Sequence, residues 1–388
     1  MRARFWILPT LGVLLAAGMS GGLASATAAE AATACQAWGA QPVNVSADTE
    51  LHAVAVISSC NAWAAGYYFT ASGTLTLVER WNGTAWKVQA SPDPGSVSDL
   101  LDAIAAASAS RAWAVGTYAN AGATRTLIEQ WNGTAWKVQA SPDVGSGNNF
   151  LVAVTATSGT NAWAVGHYHS GAHDHTLTEH WNGFSWKQVP SPNPGSSGSD
   201  NLLFGVTATS ATSAWAVGYN VSGGTTRTLI EHWNGAIWKV VPSPNAGTVA
   251  STLQAVAATS ATNAWAVGWY INGTGSRRTL AEHWNGRAWK VAPSPNGGTG
   301  DNFVYSVDVT SPVNAWMVGS IQSGTGPQRT LLEHWNGTAW KGVASPNPGG
   351  NVNSINILWG VAGTDCGDTW AVGDYSDATG THALAVHC

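Results

Sequence analysis

The chain has 388 residues, 44% of them hydrophobic and only 10% charged, with 45 Gly, 16 Pro and a net charge of −5. A nucleic-acid-binding protein needs a basic footprint, which this composition lacks, so nucleic acid is excluded as a partner. A low-charge, Gly-rich composition suits a secreted β protein.

Arg2 and Arg4 precede an apolar run from Phe5 to Met19, and small residues follow from Gly21 to Ala34. Residues 1–34 therefore read as a secretory signal peptide, too short and wrongly flanked for a spanning helix. No other segment approaches bilayer length, so the mature chain, residues 35–388, is expected to be extracellular and not inserted in a membrane. It carries 14 basic and 20 acidic residues, a net charge of −6. Export allows disulfides. Cys35, Cys60, Cys366 and Cys388 lie two at each end of the chain, and neither pair has the short spacing of a zinc site.

The mature chain opens with an orphan strand, Cys35-Gln36-Ala37-Trp38, and then repeats with a period of about fifty residues. The tryptophans mark the period. The first series is Trp63, Trp113, Trp163, Trp215, Trp265, Trp316 and Trp370. The second is Trp81, Trp131, Trp181, Trp233, Trp284 and Trp335. The third is Trp86, Trp136, Trp186, Trp238, Trp289 and Trp340, with Trp38 displaced to the N-terminus. In the second unit, strands are predicted at Leu101–Ala107, Ala112–Tyr118, Thr126–Trp131 and Ala135–Ala140. Asn132-Gly133 is a hairpin signal, and Ser141-Pro142-Asp143 breaks the pattern. No segment has helical periodicity. Four short antiparallel strands per unit is the geometry of a propeller blade.

Seven first-series tryptophans give seven blades, at about 51–100, 101–150, 151–202, 203–252, 253–302, 303–354 and 355–388. The last stops after its third strand, and residues 35–50 supply the missing outer strand. The fold class expected is all-β: a seven-bladed propeller whose N-terminal strand closes the ring and removes two exposed edges. In that closure Cys35 faces Cys388, and Cys60 and Cys366 occupy equivalent turns of neighbouring blades. Cys35–Cys388 and Cys60–Cys366 are the pairings expected, with Cys35–Cys60 and Cys366–Cys388 as the rival set.

The run Ala112-Trp113-Ala114-Val115-Gly116, with Tyr118, Glu129-Gln130-Trp131, Trp136 and Pro142, resembles a kelch-type blade of galactose-oxidase-like propellers. It is also similar to secreted bacterial propellers with Ala-Trp-Ala-Val-Gly and Glu-His-Trp-Asn-Gly repeats. The unit has one glycine where kelch blades carry two, and Trp131-Asn132 where they carry Tyr and Asp. The resemblance thus implies an architecture and no particular chemistry.

Residues present in nearly every blade read as scaffold. Each tryptophan can bury about 200 Å² between blades, and small Ala62, Ala64 and Gly66 permit close packing by a neighbouring blade. The recurring Glu79, Glu129, Glu179, Glu231, Glu282 and Glu333, and the recurring Lys87, Lys137, Lys187, Lys239, Lys290 and Lys341, are expected to be hydrogen-bonded or paired.

Variable positions are the candidates for function. The residue opening each innermost strand is His52, Asp102, Val152, Phe204, Gln254, Tyr305 or Trp359. These would ring a channel mouth with the aromatic and polar mixture of a binding site. A second set, Arg125, His175, Arg227, Arg278, Arg329 and His382, with Leu75 as the exception, forms a basic ring suited to an anionic ligand. A third occurs once, where His167, His169, His173 and His175 flank a tight turn and suggest a metal ion. No cofactor is otherwise required. Trp269 and Trp359, off the lattice, are further ligand candidates.

No nucleophile elbow, phosphate loop or zinc-protease motif is present, and no pair of carboxylates is identified for glycoside hydrolysis. The function expected is a monomeric, secreted binding module for a glycan or cell-surface protein. A glycan-active hydrolase or lyase working at the channel mouth, and a structural surface protein, are the alternatives.

Overall fold

A computed structural model describes residues 38–43, 48–120, 122–195, 198–322, 324, 326–350, 354–364 and 368–388. The described residues form 28 strands, grouped into five four-stranded sheets and one eight-stranded sheet. The eight-stranded sheet is two four-stranded units joined by one parallel bridge, Thr74 to Ser98. In the second unit the strands are Ser98–Ser108, Arg111–Asn120, Ala123–Trp131 and Trp136–Val138, each antiparallel to the next. The inner three run longer than the sequence pattern predicts because loop residues join the ladder, and the outer one is cut to three residues. At the far end, Gly39–Gln41 pairs with Gly380–His387, setting Gly39 opposite His387. The described strand begins at Gly39, after Trp38; Cys35 lies outside the described residues.

The hairpin between third and outer strands closes as its sequence requires. Asn132 Oδ1 accepts the backbone N–H groups of Thr134 and Ala135, both at 3.0 Å, and Gly133 sits at φ 97°, which glycine adopts freely.

Tryptophan packing links the units. Trp63 lies 4.9 Å from Trp131 and 5.1 Å, edge-on, from Trp136 of the following unit. The same pair of contacts recurs down the chain, and Trp370 of the last unit makes it with Trp81 and Trp86 of the first, at 4.8 and 5.0 Å. Trp38 stands edge-on to Trp316 at 5.2 Å, the place of a third-series tryptophan. The first-series rings are also capped. His180, His232, His283 and His334 pack tilted on Trp163, Trp215, Trp265 and Trp316, and His387 stacks on Trp370, while Arg80 lies over Trp63. Burial holds these five histidines below their ordinary pKa.

The motif glycine has a reason other than the one its smallness suggests. Ala62 and Ala64 do pack against Trp370 and Val372 of the last unit. Gly66, however, meets its own unit: a Cβ there would strike the Glu50 carbonyl on the innermost strand. Gly116, Gly166, Gly218, Gly268, Gly319 and Gly373 are held in the same way. Each faces the residue before a β-bulge, where the backbone of the innermost strand is pushed towards it.

The recurring glutamates are fully or almost fully buried, at 0–2% exposure. Burial pushes Glu79 up to about 7 and the other five up to about 8. Their partners are not the recurring lysines, which are exposed. Instead the Ser of a Ser-Pro turn donates across to the next unit: Ser91 to Glu129 at 2.8 Å, Ser141 to Glu179 at 3.1 Å, and Ser243 to Glu282 at 2.9 Å. The Asp or Asn after that proline accepts the backbone N–H of a third-strand Thr, as Asp143 does from Thr126 at 3.1 Å. The turn is thus fastened on both sides.

Cys60 is a free, exposed cysteine, which corrects the expected Cys60–Cys366 bridge and its Cys35–Cys60 rival. It sits at an exposed first turn, over the Asn82-Gly83 hairpin of its own unit. Cys388 is disulfide-bonded; Cys35 and Cys366 both fall outside the described residues.

Candidate functional site

Every innermost strand carries a bulge at the same point. The register shifts between Leu51 and Ala53, Leu101 and Ala103, Leu151 and Ala153, Leu203 and Gly205, Leu253 and Ala255, Val304 and Ser306, and Leu358 and Gly360. The residue skipped is His52, Asp102, Val152, Phe204, Gln254, Tyr305 or Trp359. A bulge leaves one residue out of the ladder and re-aims its side chain. Here all seven line one cavity of about 180 Å³, with small residues such as Ala53, Gly205 and Ser306 beside them.

Three of the lining rings form a continuous arc. His52 stacks on Trp359 at 5.4 Å and 13°, and Tyr305 packs on Trp359 at 4.4 Å. Phe303 stacks on Tyr305 behind them at 5.9 Å. The faces of Trp359 are therefore taken by its neighbours.

Acidic groups stand against this arc, and the sequence pattern did not single out two of them. Glu50, next but one to His52, accepts the Tyr67 hydroxyl at 2.8 Å, and His52 Nε2 lies 3.2 Å from the same oxygen. Asp374 accepts the Trp359 indole N–H at 2.6 Å. Asp102 Oδ1 is 3.8 Å from His52 Nδ1. Burial in the cavity wall pushes Asp102 up to about 6, against the pull of His52, while 27% of its side chain stays accessible. Burial likewise pushes Asp374 up to about 6; Glu50 adds to that shift, and the Trp359 hydrogen bond and His52 oppose it. Burial also acts to raise Glu50, but its hydrogen bonds from His52 and Tyr67 outweigh it and leave the carboxyl below its ordinary value. Tyr67 is raised by burial and by the Glu50 charge.

Glu50, Tyr67 and Asp374 are conspicuous only once the bulge is known. Tyr67 and Asp374 follow the motif glycine directly, and Glu50 and Tyr67 are cross-strand partners. The available signal was variability after Ala-Trp-Ala-Val-Gly, where Tyr67, Thr117, His167, Tyr219, Trp269, Ser320 and Asp374 stand.

The remaining candidates are placed elsewhere. Arg125 lies 3.9 Å from Asp143, and Arg278 donates to the carbonyls of Gly300 and Thr299 at 2.5 and 3.1 Å. His382 is 3.1 Å from Asp377, and His175 stacks on Tyr168. Arg227 and Arg329 are exposed. The basic ring is thus largely engaged by its own loops. Trp269 does not line the cavity; Arg277, itself bonded to Asp301 at 2.9 Å, lies over its ring at 5.2 Å.

The four histidines do not gather. His167 and His169 pair across the hairpin with Thr176 and Asp174, whereas His173 and His175 pair with Ser170 and Tyr168. Strand alternation therefore puts two on each face of the sheet. His167 stacks on Phe150, His169 is 3.0 Å from Asp174, and His173 is 3.3 Å from Asp200. Among the described residues no three His, Cys, Asp or Glu are placed to hold a metal ion. The reading of these four as one metal site is corrected on that ground.

No protein-family model matches this sequence, and no curated protein sequence matches it. Solved structures share its fold. YCF48 bound to D1 peptide aligns with a TM-score of 0.54 and 12% identity, over 93% of this chain and 99% of that one. The GH74 xyloglucanase from Xanthomonas campestris aligns with a TM-score of 0.54 and 16% identity, over 88% of this chain and 54% of the enzyme. This chain spans about half the length of that enzyme. Both neighbours are β-propeller proteins. At such identities the likeness shows the fold alone: this chain is an all-β protein of repeated four-stranded antiparallel sheets, related in architecture to propellers.

Proposed function

We propose that the chain is a secreted, seven-bladed β-propeller, closed by its own N-terminal strand, that binds a carbohydrate at the mouth of its central cavity. Closure is supported by the pairing of Gly39–Gln41 with the last strand and by the packing of Trp370 on Trp81 and Trp86. The observation that carries the binding reading is the convergence of seven bulged, mutually different side chains on one cavity. A scaffold that repeats almost everything else varies there, and propellers of this architecture include a xyloglucanase and one bound to a peptide. A carbohydrate suits the mixture of ring edges, carboxylates and the Gln254 amide, since pockets combine apolar walls with a few convergent polar groups.

A glycan-active enzyme is the second reading. Asp102 and Asp374, both pushed up to about 6, are the carboxyls it would use, because a general acid needs a raised pKa.

The test is a glycan array followed by calorimetry on the best binder. Binding at one site per chain, lost in Asp102→Asn and Gln254→Ala, supports the first reading, and sugar release supports the second. Binding of several sugars per chain that both variants retain would place recognition on the repeated outer surfaces instead.

A further inference from the structure

Resting on the carbohydrate reading, we infer that the sugar recognised is an amino sugar, presented as a chain end with a free ammonium group directed at Asp102.

The size of the cavity limits what enters. Its volume of about 180 Å³ falls below the roughly 300–1,000 Å³ of pockets that enclose a drug-sized ligand. A single end group fits, and a polymer lying through the channel does not.

The lining decides the charge of that group. Among the described residues, Asp102 and His52 are the charged or readily titratable groups of the wall, and no lysine or arginine lines it. Glu50 and Asp374 stand immediately behind. Arg277, whose charge is felt by Tyr305, is bonded to Asp301. Three carboxylates therefore face one imidazole, and that imidazole is shared between Glu50 and Asp102.

Hydrogen-bonding capacity points the same way. The Tyr67 hydroxyl and the Trp359 indole N–H are spent on Glu50 and Asp374. The His52 and Tyr305 rings have Trp359 between them, so the arc offers edges and not an open face for stacking a neutral sugar. Asp102 stands 3.8 Å from His52, accepts no hydrogen bond from the described residues and lines the cavity with 27% of its side chain accessible, so its acceptor oxygens are left for a ligand. An ammonium group supplies up to three donors and the missing positive charge. Charge-assisted hydrogen bonds of this kind are roughly twice as strong as neutral ones.

Calorimetry with glucosamine oligosaccharides and with their N-acetylated counterparts, at about pH 6.5, tests this. The expected result is binding of the free amine at least about tenfold tighter than the acetylated sugar, with the preference abolished in Asp102→Asn. Retention of the wild-type melting temperature shows that this variant is folded. If it is not folded, Asp102→Glu, which keeps the charge, must keep the preference. Equal or tighter binding of the N-acetylated sugar overturns the inference and leaves the carbohydrate reading standing. Failure of both sugars, with a neutral or acidic glycan bound on the array, also overturns it, and no glycan bound at all removes both.

Discussion

The Ser141 hydroxyl lies 3.2 and 3.1 Å from the two carboxyl oxygens of Glu179, across the boundary between successive four-stranded units. The Thr126 hydroxyl lies 2.8 Å from the same serine oxygen, so one serine joins the turn, its own unit and the next. The Ser-Pro of one repeat and the Glu of the following repeat, 38 residues apart, form a single device. Replacing a donor to a buried acceptor costs about 1–3 kcal/mol. Ser141→Ala is therefore expected to lower stability by about that amount, read as a shift in the denaturation midpoint with unchanged slope.

The last unit breaks the device twice. Register sets Val386 opposite Ala371, where Glu129 stands opposite Ala114. The Ser345 hydroxyl is accordingly buried without a partner. On the other side, Val43 follows Trp38 at the spacing with which Ser141 follows Trp136, and both oxygens of Glu79 are buried without a partner. Val386→Glu is expected to give Ser345 its acceptor. A higher melting temperature in Val386→Glu than in the double variant Val386→Glu with Ser345→Ala checks the pairing.

The buried glutamates set a pH dependence. A carboxyl whose folded pKa is raised is protonated in the folded chain while it ionises in the unfolded chain, so folding loses ground as pH rises. Unfolded glutamate titrates near 4.5 and the folded groups near 7 to 8. The expected result is a melting temperature that falls from about pH 5 to about pH 8 and then levels. Glu179→Gln removes one contributor, since the amide keeps the shape without the charge, and the slope becomes shallower. The capping histidines, held below their ordinary value, act in the opposite sense and cost stability below about pH 6.5.

Glycine at the motif position is required by close approach. A Cβ on Gly268 would strike the Thr252 carbonyl and lie against Leu253 Cα. Gly268→Ala is expected to destabilise by several kcal/mol, at the upper end of single substitutions, and to displace Gln254 from the cavity. A mid-strand Ala266→Gly control, affecting propensity and packing alone, separates the two effects when ligand binding is measured alongside.

Much of this architecture was legible because it is written periodically. The tryptophan lattice predicts four strands per unit, the Asn-Gly hairpins and the pairing of an N-terminal strand with the last, and each rests on a local rule: alternation, turn chemistry or edge avoidance. The bulge was not legible. His52 and Ala53 look like ordinary alternating residues, and the shift that aims His52 inward is visible only in the cross-strand register. For the same reason nothing in the sequence distinguishes Glu50 and Asp374. The histidine loop misled in the reverse direction: closeness in sequence placed His167 and His175 together, and the pleat of the hairpin put them on opposite faces.

Cysteine reactivity gives an independent check on the seam. Cys60 is expected to react with a thiol reagent in the native protein, as mass mapping of labelled peptides will show, while Cys388 becomes reactive only after reduction. Cys60→Ser changes stability by less than about 0.5 kcal/mol; Cys388→Ser costs about 2–5 kcal/mol.

The claim on which the account turns is that ligand enters at the bulged ring. Titration calorimetry of the best-binding glycan against wild type, Asp102→Asn and Arg227→Ala tests it most directly. The account predicts one site per chain, affinity lowered at least about tenfold in Asp102→Asn, and no change in Arg227→Ala. Unchanged affinity in Asp102→Asn, with binding lost in Arg227→Ala, would contradict it.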